Sequence, residues 1–270
     1  MSSEYVLGHD QEELQRLQLQ HQLWKDDLLQ IWAKAHMQKM KKVLDLGCGP
    51  GFTTLDLAQF ITGDCHVTAV DLSEPFLKHL QSRAEQLPGG KKISTYQSYI
   101  EKLDLPERDY EGAFCRWLMI FVQDPKLAIE RIRQHLQVGA YFSLQEYVSY
   151  DSMNLVPHFS SMKPVVEAIF KSWRDQGGDP NRGQVLPQLL EKGGFEVVHI
   201  APVAKFARPQ DPLWAWPDTF YKSFLPRLLK NQYLSQEQVH HFNQDWARAK
   251  NEVGAYFIAP TVINIVACKR

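Results

Sequence analysis

Four cysteines in 270 residues, Cys48, Cys65, Cys115 and Cys268, lack metal-ligand spacing and the density of a disulfide framework, so neither zinc nor disulfide bonding is expected. A charge excess is missing too: 30 Lys and Arg oppose 31 Asp and Glu, for a formal charge of -1. Without a global field, nothing draws the chain to nucleic acid or to an anionic membrane, although a local basic patch stays open. No apolar run approaches the roughly 20 residues that span a bilayer, and Met1-Ser2-Ser3-Glu4 lacks the charged-then-apolar order of a signal peptide. A cytoplasmic protein without membrane contact is therefore expected. Internal repeats and low-complexity segments are absent, the Gln-rich stretch from Gln15 to Gln22 lying inside a helical pattern. What is present, a 44% hydrophobic chain of this length, suffices for one elaborated α/β domain with a full core.

From about Asp10 to Met37, Leu14, Leu17, Trp24, Leu28, Ile31 and Ala35 recur at helical spacing. Strand candidates then alternate with helices. The strands are Lys41–Leu46, Cys65–Val70, Ile93–Tyr96, Gly112–Arg116 and Ala140–Tyr147; the helices run from Phe52, from the N-cap Ser73 and from Pro125. That rhythm implies a parallel sheet. Beyond Tyr150 helical stretches near Pro164–Asp175 and Pro212–Glu252 flank two further strands, Glu196–Ile200 and Thr261–Cys268. The expected organisation is one domain: an N-terminal helical lid over residues 1–40, a cofactor-binding core over 41–150, and cap helices with the last two strands over 151–270.

The first chemical signal is Val43-Leu44-Asp45-Leu46-Gly47-Cys48-Gly49-Pro50-Gly51, where glycines let the backbone turn sharply and approach a ligand before a helix N-terminus. The second is Asp71, ending the next strand about 20 residues on, where a carboxylate can accept from ribose hydroxyls. Together they describe a nucleoside-containing cofactor. The G-x-G-x-G spacing departs from the G-x-G-x-x-G of nicotinamide binders, leaving an oxidoreductase as a distant option.

With these motifs the chain resembles class I S-adenosylmethionine-dependent methyltransferases, over about Val43 to Leu144. The resemblance implies a Rossmann-like α/β fold with a seven-stranded, mostly parallel sheet, helices on both faces and an antiparallel last strand. It also implies S-adenosylmethionine as cofactor, S-adenosylhomocysteine as product and a small-molecule acceptor. Carried over residue by residue, it assigns Gly47 and Gly49 to the amino-acid moiety, Asp71 to the ribose, Leu72, Tyr99 and Ile100 to the adenine, and Arg116 to the methionine end. Tyr99 stands where the family usually has an acid. Tyr5, in Tyr5-Val6-Leu7-Gly8-His9, resembles the lid leader of small-molecule members.

Glu146 and Tyr147 close the fifth strand, where ligands of open α/β sheets bind, and are the catalytic candidates; the plain alternative for Glu146 is a carboxylate satisfied by a helix end or an arginine. Trp214, Trp216, Phe220, Tyr221 and Phe224 form either a substrate wall or ordinary core. No spacing singles out His158, His240 or His241 as a base. Three alternatives stay open: nucleic-acid methylation, without the basic groove it needs; protein methylation; and non-catalytic binding of the cofactor. Neither the acceptor nor the oligomeric state is legible.

Overall fold

The computed structural model describes residues 11–87 and 90–270. Helix α1 (Gln11–Lys34) precedes the alternating core: β1 (Lys42–Leu46), α2 (Phe52–Phe60), β2 (Cys65–Asp71), α3 (Glu74–Ala84), β3 (Lys91–Gln97), β4 (Tyr110–Arg116), α4 (Pro125–His135) and β5 (Leu136–Ser149). Local chemistry fixes the helix starts. Ser73 accepts from the Phe76 amide, and Asp124 from those of Lys126 and Leu127, each with proline in the first turn. After β5 come β6 (Asn154–Val156), α5 (Met162–Arg174), α6 (Leu186–Lys192), β7 (Phe195–Val203), β8 (Phe206–Ala207), α7 (Ala215–Lys230), α8 (Gln236–Ala249), β9 (Tyr256–Ile258) and β10 (Thr261–Lys269).

Seven strands form one sheet in the order β3-β2-β1-β4-β5-β10-β7, with β10 antiparallel to both neighbours and the first five strands parallel. This is the Rossmann-like arrangement the resemblance implies. Strand order reverses between β1 and β4, so the loops leaving their carboxyl ends diverge and open a crevice there. One face is covered by α4 and α6, through residues such as Ile129, Ile132 and Leu190. The other packs on α1 and α2, where Leu28, Ile31 and Trp32 meet Val43, Phe114 and Val266.

Two expectations need correction. The cap is not purely helical, because β6, β9 and β8 pair as a small antiparallel sheet; strands of two or three residues are too short to display an alternation. The buried stripe of α1 is also not the apolar one at its start. Glu13, Arg16 and His21 are buried, whereas Leu14 and Leu17 are half-buried. Among the described residues no helix is long and apolar enough to cross a membrane.

Trp32 is fully buried and meets Phe114 edge-on at 5.5 Å. Replacing it with alanine leaves a cavity between α1 and the sheet, with an expected loss of about 3–5 kcal/mol. Urea unfolding of Trp32→Ala measures this, and a loss below about 1 kcal/mol would mean that α1 docks without it.

Candidate active site

The turn after β1 passes through Gly47, Gly49 and Gly51 with φ of 67°, 53° and 85°. The reasons for glycine differ along it. A Cβ on Gly47 would come within 2.8 Å of Leu118 Cδ1, and one on Gly51 would strike Leu80, but one on Gly49 would meet nothing within 4 Å. Gly49 therefore presents bare backbone to open space that a ligand can occupy. The loop is pinned from β2: the Gly47 and Cys48 amides donate to the Val70 carbonyl at 2.8 and 3.0 Å, and the Gly49 amide donates to Asp71 Oδ2 at 2.8 Å. Asp71 Oδ1 accepts from the Ser73 amide at 2.8 Å. These bonds orient the Asp71 carboxylate at the end of β2.

Leu72 and Tyr99 stay 42% and 44% exposed, an apolar rim beside Asp71. Gln97 donates to the Leu72 carbonyl, and the Ser98 amide to that of Asp71, tying the ends of β2 and β3 together. Ile100 is buried, so only its backbone amide is suited to a ligand. Tyr5 lies outside the described residues.

Gly47, Gly49, Arg116 and Tyr147 line one cavity, together with Asp45 and Thr53. Arg116, at the end of β4, is held by a chain of polar partners. Its Nη2 donates to His21 Nδ1 at 3.2 Å and to Thr53 Oγ1 at 3.1 Å, while His21 Nε2 donates to Asp56 Oδ2 at 2.9 Å. These bonds fix the neutral His21 tautomer, and burial holds the ring below its usual pKa. Burial also lowers the guanidinium to about 10, so it stays charged at neutral pH. Arg116 Nη1 is buried without a hydrogen-bond partner. A charged N–H pair left unmet inside a cavity is suited to an anionic group. Asp45, raised to about 6 by burial, accepts from Thr54 Oγ1 at 2.6 Å.

The far end of the cavity is aromatic. Tyr147 stacks on Trp117 with 5.5 Å between centroids and meets Tyr150 edge-on at 5.0 Å, while Tyr150 leans on Trp173. Three of the five expected wall residues, Trp216, Phe220 and Tyr221, line it. Trp214 and Phe224 are core only. Helix α1 spans both ends, since Arg16, Leu17, Gln20 and His21 are lining residues and Gln20 Oε1 accepts from Trp216 Nε1 at 3.0 Å.

Glu146 requires a correction. Alternation along β5 turns it away from Tyr147, and its fully buried carboxylate accepts the Leu118 and Met119 amides, both at 2.8 Å, outside the cavity lining. It caps the turn after β4 and does not reach the acceptor space. His240 and His241 engage Gln244 and Asp245 on α8, and His158 is likewise outside the lining. Among the described residues no group of His, Cys, Asp or Glu is placed to hold a metal ion. Sequence reasoning missed Gln20, His21 and Trp173. The legible signal was the polar series Glu13, Arg16, Gln20 running at helical spacing into Trp24 and Leu28, where a purely structural stripe would be apolar.

Comparison with known proteins fits this geometry. Residues 43–139 match the family model described as a methyltransferase domain. An O-methyltransferase of Penicillium expansum, cnsE, is 25% identical over 175 residues, 64% of this chain and 58% of the relative, so the chain spans less than two thirds of that protein's length. The crystal structure of a SAM-dependent methyltransferase from Methanosarcina mazei superposes with a TM-score of 0.52 at 15% identity, covering 86% of this chain and 93% of the other. A phosphoethanolamine N-methyltransferase 2 of Haemonchus contortus, in complex with phosphomonomethylethanolamine and S-adenosylhomocysteine, gives a TM-score of 0.52 at 16% identity over 86% of this chain and 49% of the other. At these identities the two structures share the fold.

Burial raises Glu146 from 4.5 to about 8 despite the amides that favour its charge. The native state therefore keeps a proton that the unfolded chain releases, and stability falls as pH rises from 4.5 to about 8. Glu146→Gln keeps an acceptor for the two amides and removes the titration. Its stability should depend less on pH across that window, by an amount on the order of a few kcal/mol. Urea unfolding at both ends of the window checks this, and equal slopes for variant and parent would exclude the buried-proton account.

Proposed function

We propose that the chain is a class I S-adenosylmethionine-dependent methyltransferase, as the methyltransferase-domain match over residues 43–139 supports, and that it binds S-adenosylmethionine and methylates a small-molecule acceptor, releasing S-adenosylhomocysteine. The observation that carries this reading is the continuity of one cavity from the bare backbone at Gly49 to the rings of Tyr147 and Trp173. When bound, S-adenosylmethionine supplies a methyl group already activated on a sulfonium. What is left to the chain is alignment and exclusion of water.

In this reading the backbone at Gly47 and Gly49 receives the amino-acid moiety, and Arg116 Nη1 its carboxylate. Asp71 accepts from the ribose hydroxyls. Leu72 and Tyr99 flank the adenine, with the Ile100 amide as a further donor, and helix α1 lies over the site through Arg16, Leu17, Gln20 and His21. Tyr147 lies at the acceptor end. The enclosed aromatic space, in contrast to an open basic groove, favours a small acceptor over nucleic acid or protein.

Isothermal titration with S-adenosylmethionine, S-adenosylhomocysteine and NAD should give binding of the first two only; binding of NAD alone, or of none, would sink the proposal. Two variants then test the assignments. Asp71→Asn should weaken S-adenosylhomocysteine binding by about 1.5–3 kcal/mol while leaving the fold intact. Gly49→Ala places a methyl in the open space at a left-handed φ, and should abolish that binding at a stability cost of about 1–2 kcal/mol. Methylated product from any acceptor separates an enzyme from a non-catalytic binder.

A further inference from the structure

The aromatic end of the cavity is rich in donors and poor in bases. The indole N–H groups of Trp117 and Trp173 are buried and have no hydrogen-bond partner, and Trp173 is only 4% exposed. Among the described residues no hydrogen bond engages the hydroxyl of Tyr147 or Tyr150, and burial raises both phenols so that they remain protonated donors, with the Arg16 charge acting against the rise. Arg16 itself is buried, paired through two bonds with Glu13 and bonded to Gln20.

The other titratable lining groups are committed elsewhere. His21 has both ring nitrogens engaged, by Asp56 and Arg116. Asp45 accepts from Thr54 beside the glycine loop, the Cys48 thiol is pushed well up by burial, and the Tyr221 hydroxyl donates to Met153 Sδ at 3.1 Å. Among the described residues no uncommitted carboxylate or imidazole lines the cavity beside the rings.

We infer, resting on the methyltransferase reading, that this end takes a planar conjugated acceptor bearing an acidic hydroxyl, a phenol or an enol, and binds it as the oxyanion through Trp117, Trp173, Tyr147 and Tyr150. The rings that line the cavity offer faces and edges against which a planar body can stack. Unpaired donors around it stabilise negative charge on its oxygen and oppose an ammonium, which would meet N–H and O–H groups and a guanidinium. The acceptor's proton leaves to solvent, so no protein base is required. The oxygen lone pair then forms the O–CH3 bond as the carbon–sulfur bond breaks, with that bond's electrons remaining on sulfur; oxyanion and sulfonium charges cancel.

The test uses the full chain with saturating S-adenosylhomocysteine and para-nitrophenol, whose ionised form is coloured. The bound probe should read as phenolate at a proton concentration at least tenfold above that at which the free probe ionises. Trp173→Phe and Tyr147→Phe each keep a ring and remove a donor, and each should weaken phenolate binding several-fold with S-adenosylhomocysteine affinity unchanged. A bound probe with the neutral spectrum, no probe binding, or tighter binding of benzyltrimethylammonium would overturn the inference. Calorimetry with S-adenosylhomocysteine comes first, so that failure of the methyltransferase reading is scored separately. The probe titration on the bare protein is then judged by the same spectral criterion.

Discussion

Burying the charged and amide side chains on the inner face of α1 is costly unless each finds a partner, and that requirement ties the molecule together. Glu13 and Arg16 satisfy one another, His21 bridges Asp56 of α2 and Arg116 of β4, and Gln20 collects donors from Arg16 and from Trp216 of the cap. An unpaired buried charge costs several kcal/mol, far more than a missed apolar contact of the same size. Helix α1 is thereby fixed in rotation and register against three separate elements. The apolar half of the helix, Leu28, Ile31 and Trp32, supplies most of the burial. Its polar half decides the orientation in which that burial occurs.

The same constraint divides the cavity chemically. Near the glycine loop lie charges and bare backbone: Asp45, Arg116 and the amides around Gly49. Beyond Trp117 the walls are mostly rings, and their polar groups among the described residues are the indole N–H and phenol O–H groups with the paired Arg16 and Gln20 of α1. The Arg116 guanidinium lies over the Trp117 ring at 4.8 Å, at the border between the two regions. Water excluded from the aromatic half strengthens every hydrogen bond made there, which matters most for a ligand whose charge must be held by neutral donors.

How far the sequence reveals this depends on the length over which each constraint repeats. The parallel part of the sheet was legible because strands of five or more residues alternate with helices and carry Gly47, Gly49 and Asp71 at fixed places between them, whereas the seventh, antiparallel strand was implied by the resemblance. Ser73 and Asp124 announced their caps by residue type alone. By contrast, β6, β8 and β9 are too short to show a period, and the aromatic residues at Trp117, Tyr150 and Trp173 come from three elements far apart in the chain. Glu146 shows the limit in one residue. Its position at the end of β5 is readable, but whether it faces the cavity or the turn at Leu118 and Met119 depends on a pleat parity set by pairing with β4 and β10.

In the proposed reading, cofactor and acceptor specificity are written in different parts of the chain. The glycine loop, Asp71 and the rim at Leu72 and Tyr99 lie within residues 43–139, where the methyltransferase-domain match falls. Most of the aromatic walls, Tyr147, Tyr150, Trp173, Trp216 and Tyr221, lie beyond it, on β5 and the cap. Substitutions in the cap can reshape the acceptor slot without disturbing the turn that presents Gly49, because the two meet only across the cavity. Trp117 is the exception, being held both by the sheet, through its amide bond to the Gln145 carbonyl, and by the rings of Trp24 and Tyr147. A change there would shift the boundary between the two regions, so in the proposed reading it is, with helix α1, a position at which cofactor and acceptor binding would be coupled.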